Sequence, residues 1–103
     1  MQEEASVDWQ VYIIRCSDDS LYTGITRDIE RRLLQHASQR GARYFRGRRP
    51  QQLVYLEGGH NRSSASKREA AIKKLRRAAK FRLIASSLNQ LDGAGDCRVD
   101  DLD

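Results

Sequence analysis

The sequence predicts an α/β protein of the α+β type, a three-stranded antiparallel sheet flanked by about three helices in the order β-β-α-β-α-α. Three observations carry that expectation. Two short β-branched and aromatic runs near the start are separated by the turn formers Ser17-Asp18-Asp19-Ser20, the mark of a hairpin. Apolar residues then recur at helical spacing in three later stretches. Finally, the chain has 103 residues, only 22 of them Ile, Leu, Val or Phe, enough for one modest core over one small sheet.

The first strand is Trp9 to Cys16 (WQVYIIRC). Its alternation sets Trp9, Val11 and Ile13 on one face and Tyr12, Ile14 and Cys16 on the other, so both faces are apolar and both need cover. Leu21 to Ile25 (LYTGI) is the hairpin partner. Thr26 or Asp28 caps the first helix, about 28–38, on the stripe Ile29, Leu33 and Ala37. Gly41 to Pro50 is a basic loop that ends on the only proline. Gln52 to Glu57 (QLVYLE) is the third strand, stopped by Gly58-Gly59. Asn61 or Ser63 caps the second helix, whose apolar positions are Ala65, Ile72 and Leu75, and a last amphipathic piece aligns Phe81, Ile84 and Leu88. One domain, 9–88, therefore lies between a polar, frayed segment, 1–8, and an acidic tail, 89–103, expected to be disordered.

Nineteen Lys and Arg against 14 Asp and Glu give a net charge of +5, and the sum hides an asymmetry. Residues 1–88 carry 18 basic and 9 acidic side chains, whereas 89–103 carry one arginine and five aspartates. Arg40, Arg43, Arg46, Arg48 and Arg49 fall within ten residues. Guanidinium groups pair bidentately with phosphate, so a polyanion, nucleic acid first, is the expected partner. No run approaches the roughly 18 apolar residues of a membrane span, and no apolar leader precedes the domain. Cys16 and Cys97 sit in unlike contexts without a C-x-x-C, which argues against zinc and for a reduced, cytoplasmic setting, nucleoid association included. No Gly-rich phosphate loop and no Ser/His/Asp set are evident, and the lack of a useful pair of carboxylates argues against a two-metal centre and a glycosidase pair.

Four features stand out on this scaffold. Tyr12 and Tyr22 lie on the two arms of the hairpin, and Gly24 sits inside a strand, where a glycine marks a close approach to the backbone. For both rings to share a face, the connection must be three or five residues long or hold a bulge. A four-residue turn would pair Tyr12 with Ile25 and set the rings on opposite faces. Arg32 and His36 share one side of the first helix, at the rim of its stripe. Glu69 lies within the apolar stripe of the second helix, either paired with Lys73 at the edge of the core or partly buried beside a divalent cation. Taken singly, the tyrosines read as strand aromatics, and Arg32 and His36 as solvated surface.

Together, Val11-Tyr12-Ile13, Leu21-Tyr22-Thr23-Gly24, then Thr26, Asp28, Arg32 and His36, and finally Lys67-Arg68-Glu69 resemble the GIY-YIG nuclease superfamily, and most of all its small stand-alone bacterial members. The likeness covers about Trp9 to Ile84. It implies a metal-dependent phosphodiesterase acting on DNA, with DNA repair as a setting. In that scheme Glu69 is the sole protein ligand of one Mg²⁺ or Mn²⁺, one tyrosine, Tyr12 by preference, orients or deprotonates the water, Arg32 clamps the scissile phosphate, and His36 hydrogen-bonds within the site. Cations near the phenol would have to lower its pKa from about 10. Backbone contacts fall to Gly24, Arg27, Arg40, Arg43, Tyr44, Arg46, Arg48, Arg49, Lys67 and Lys73, with Tyr44 and Phe45 stacking on unpaired bases of flexible or single-stranded DNA.

The motifs read Gln10-Val11-Tyr12 and Tyr22-Thr23-Gly24, and Ile25 stands where many relatives have a lysine. A catalytically weak nucleic-acid-binding module of the same fold, dependent on a protein partner, is therefore the alternative reading. In a third reading, the acidic tail shields the basic face or recruits that partner. The oligomeric state is left open.

Overall fold

The computed structural model describes residues 7–37, 49–91 and 97–98. Strand β1 (Trp9–Cys16) pairs antiparallel with β2 (Leu21–Thr26) on one side and with β3 (Pro50–His60) on the other. Helix α1 (Ile29–Ala37) follows the hairpin, and α2 (Arg62–Lys73) and α3 (Arg77–Ile84) follow β3. The expected three-stranded antiparallel sheet with three helices is thus present. A two-residue strand, β4 (Cys97–Arg98), adds to it beside Gln52 and Leu53, giving the order β2-β1-β3-β4.

The central strand is covered on both faces, as its sequence requires. Tyr12, Ile14 and Cys16 join Leu33 of α1 and Leu53 in one buried cluster, with Tyr22 and Ile29 packed against it. Val11 and Ile13 join Tyr55 and the α2 residues Ala65 and Ile72 in the other, against which Trp9, Ile25, Leu83 and Ile84 pack. So α1 covers one face of the sheet, and α2 with α3 the other. No helix among the described residues is long and apolar enough to cross a membrane.

Local chemistry sets the boundaries. The hairpin connection has three residues: the Asp19 amide donates to the Cys16 carbonyl at 2.9 Å, and the Cys16 amide to the Ser20 carbonyl at 2.9 Å. Asp19 takes φ 66°, the left-handed position that ends a three-residue loop of this kind. Of the two candidate caps of α1, Asp28 serves: its Oδ1 accepts from the Arg31 amide at 3.1 Å, while Thr26 Oγ1 accepts from the Asp28 amide at 3.1 Å. Asn61 caps α2 in a reciprocal pair with Ser64.

Three expectations need correction. Gly58-Gly59 does not stop β3, which runs on to His60. The register against β1 slips there by one residue, and Gly59 at φ 79° takes up the bulge. Leu75 lies beyond the end of α2 and is partly exposed. Phe81 and Leu88 also face solvent, because α3 ends at Ile84 and its inward side is Leu83 and Ile84.

Candidate active site

The odd hairpin connection has a direct consequence at the tyrosines. Tyr12 stands opposite Gly24 and Tyr22 opposite Ile14, so both rings rise from the same face of the sheet, as the motif reading required. Their centroids are 6.2 Å apart at an interplanar angle of 47°. The Tyr12 ring crosses directly over Gly24: a Cβ there would lie 2.6 Å from the phenolic oxygen and 2.7 Å from Cζ. The close approach that the strand glycine announces is therefore made by Tyr12, and Gly24 itself is buried beneath it. The phenol lies over β2, the edge strand, and Tyr12 is fully buried there. There Arg32 Nε donates to the Tyr12 hydroxyl at 3.4 Å, and Arg32 Nη1 to Gln35 Oε1 at 3.0 Å. Tyr12 and Arg32 polarise each other unequally. Burial holds the phenol pKa well above its ordinary value, and the Arg32 hydrogen bond only partly offsets it. The hydrogen bond to Tyr12 in turn raises the Arg32 pKa. Arg32 thus lowers the phenol pKa in the expected direction, but burial outweighs it. His36 follows Arg32 by one turn of α1, and its side chain lies outside the described residues.

Glu69 is not in contact with the phenols. It lies on α2, whose buried residues pack on the sheet face opposite Tyr12. Its side chain is 24% exposed, and Oε2 is 3.2 Å from Lys73 Nζ, so the ion-pair half of the two readings is realised. α2 packs chiefly across β2 and β1, on the face opposite Tyr12. Among the described residues no three His, Cys, Asp or Glu side chains converge on one point. A lone, half-buried carboxylate suits a hard cation that keeps its waters and takes phosphate oxygens from a substrate, as Mg²⁺ does, and does not suit zinc. Glu69 is the one carboxylate of α2, and it would have to exchange its Lys73 partner to hold such a cation.

Of the basic residues singled out for backbone contact, Arg27 is exposed and 3.3 Å from Asp8, and Lys67 and Arg49 are exposed. Lys73 is the partner of Glu69. Arg40, Arg43, Tyr44, Arg46 and Arg48 lie outside the described residues. On the α2 face a second polar cluster has formed. Glu57 accepts from Arg68 Nε at 3.1 Å on both oxygens, from the Tyr55 hydroxyl, and from His60 Nε2 at 2.6 Å. Burial would raise the Glu57 pKa, but the hydrogen bonds from Tyr55 and His60 and the Arg68 charge outweigh it and hold the carboxyl below its ordinary range. Tyr55 is pushed up to about 12, by burial first and then by its bond to Glu57.

Residues 8–82 match the family model described as the GIY-YIG catalytic domain. The chain belongs to the GIY-YIG family. The GIY-YIG domain is a nuclease-type domain, and its model spans every element from β1 to most of α3. This GIY-YIG chain is 54% identical over 80 residues to a UPF0213 protein of Desulfotalea psychrophila, covering 77% of this chain and 73% of that protein. It is 46% identical over 80 residues to a UPF0213 protein of Natronomonas pharaonis, covering 78% and 94%. It is also similar to the solution NMR structure of UPF0213 protein BH0048 from Bacillus halodurans, with 39% identity and a TM-score of 0.51 over 80% of this chain and 87% of that one.

Sequence reasoning about this GIY-YIG chain missed the Glu57 cluster. Glu57 was read only as the end of a strand, although a carboxylate in an apolar strand ahead of a basic helix is itself a signal for a partner such as Arg68. It also missed Trp9, Arg31 and Gln35, which line an open cleft of about 290 Å³ with Ile25, Thr26, Arg27, Asp28 and Arg32. Those positions span both faces of the sheet and a helix, so no spacing along the chain links them.

Proposed function

We propose that this chain hydrolyses phosphodiester bonds in DNA, and that the contact of Arg32 with the Tyr12 phenol over β2, beside Tyr22, marks where the scissile phosphate sits. That contact is the observation that supports the reading best, because it sets a permanent, partly exposed cation on the buried Tyr12 hydroxyl with Tyr22 beside it. Arg32 binds a phosphate oxygen and stabilises the charge that grows on it. Tyr12 stays protonated at neutral pH, so it positions the attacking water through its hydroxyl instead of removing the proton. Tyr22 supplies a second hydroxyl over the same face. Glu69, across the sheet from Tyr12, would hold the Mg²⁺ or Mn²⁺, which would supply charge neutralisation to a phosphate reaching that face. Flexible or unpaired DNA is the substrate this reading expects, because a phosphate must approach the Arg32 guanidinium closely.

The ion pair of Glu69 with Lys73 and the isoleucine at position 25 favour a second reading, a DNA-binding module that cuts poorly. A supercoiled plasmid separates the two. With Mg²⁺ or Mn²⁺ the native chain should nick it, and Glu69→Ala should lower the rate by at least 10²-fold, about the effect of losing a metal anchor. Nicking that continues unchanged in the variant would remove Glu69 from the mechanism. Binding that weakens steeply with salt, without any cutting, would support the module.

A further inference from the structure

We infer that the cleft beside Arg32 is a nucleobase subsite, in which one unpaired base of a bound DNA strand rests against Trp9 and Ile25 while Arg27, Arg31 and Arg32 hold the adjoining phosphates. The inference rests on the nuclease reading and extends it from the scissile phosphate to a neighbouring nucleotide.

The cleft has the two-sided chemistry of a nucleotide site. Trp9 and Ile25, partly buried and packed on the α2-face cluster, supply an apolar wall. α1 and the turn before it supply Arg27, Arg31, Arg32 and Gln35. At about 290 Å³ the space is near the lower end of the ~300–1,000 Å³ typical of small-ligand pockets. It admits one base with its sugar and excludes a base pair. Three arginines line it against one acid, Asp28, whose Oδ1 is already engaged by the Arg31 amide. Among the described residues the Arg31 guanidinium has no partner. The Arg27–Asp8 pair at 3.3 Å is exposed and cheaply exchanged for a phosphate. The Arg62 guanidinium, which is not part of the cleft lining, lies over the Trp9 ring at 5.8 Å from its centroid. Arg32 belongs to this cleft and to the Tyr12 contact at once, so a base seated here sits next to the phosphate at the reaction centre.

Trp9 is the only tryptophan of the chain, so its emission reports the cleft alone. The test titrates the full chain in EDTA with a thymidine octamer and with an octamer of abasic tetrahydrofuran nucleotides of equal charge. The thymidine strand should quench Trp9 and bind about 5- to 100-fold tighter, the range that aromatic–base stacking spans. Trp9→Leu should bring the two affinities together. Equal affinity and equal quenching by both strands, or no binding of either, would overturn the subsite. The native chain decides this by itself, so a misfolded variant leaves the test intact. Because no metal is present, the outcome is independent of cutting. Base-dependent quenching in a chain that never nicks DNA overturns the nuclease reading alone, and nicking without base dependence overturns the subsite alone.

Discussion

A methyl group at Gly24 would place a carbon 2.6 Å from the Tyr12 hydroxyl oxygen, and the Tyr12 ring, fully buried, has nowhere to swing. Gly24→Ala should therefore cost about 1–3 kcal/mol of stability by overpacking. It should also lower nicking by on the order of 10²-fold, as expected when a catalytic group moves by about an ångström. Urea denaturation and the plasmid assay measure the two losses separately, and an alanine variant that cuts normally would show that the phenol position is immaterial. Glu57 gives a prediction in pH. Its folded pKa lies below the ordinary carboxyl value of 4.5, so its contribution to stability is present above about pH 4.5 and is lost as pH falls through the folded value. Glu57→Gln should then be less stable than the native chain by about 1–3 kcal/mol at pH 7, with the gap narrowing at pH 3. A gap of the same size at both values would mean that the Arg68 and His60 contacts contribute nothing through charge.

At the scale of elements, the proposed reaction geometry depends on where α1 begins. Asp28 accepts from the Arg31 amide at 3.1 Å, and Arg32 is the next residue, so the cap fixes the turn that aims the guanidinium at Tyr12. Asp28→Ala should cost about 1 kcal/mol. It should also weaken nicking more than an equally destabilising change in α3, such as Leu83→Ala partly compensated by lower temperature. Comparing the two variants at matched fraction folded checks this. The hairpin acts in the same way. A three-residue loop with Asp19 at φ 66° puts both tyrosines on one face, whereas a loop of even length would part them. Sequence patterning stated that condition from the motif spacing, and the hydrogen bonds of the turn meet it.

For the molecule as a whole, the acidic tail is the remaining question. A cut after Leu91 keeps the contacts of the segment before it, where Asn89 donates to the carbonyls of Val54 and Ile84 at 2.8 Å, Gln90 donates to Leu56, and Leu91 packs on the α1-face cluster, and gives up only the short β4 pairing with Gln52 and Leu53. A chain ending at Leu91 loses five aspartates and one arginine. It should bind DNA more tightly at low salt, with the advantage shrinking as screening rises. Unchanged affinity would retire the idea that the tail shields the basic face. Much of the architecture was legible in the residues: the faces of β1 from strict alternation, the caps from Asp28 and Asn61, and the Tyr12, Tyr22 and Arg32 cluster from motif order. Leu75, Phe81 and Leu88 were misread as core because helical periodicity marks an apolar side without showing where the helix stops. By itself, then, the chain determined which residues face together along each element, since pleat and helix pitch are local geometry. Only the tertiary structure decided which face of the sheet each helix covers. Both faces of β1 are equally apolar, so nothing local chose between them, and that choice is what sets Glu69 across the sheet from Tyr12 and opens the Trp9 cleft beside Arg32.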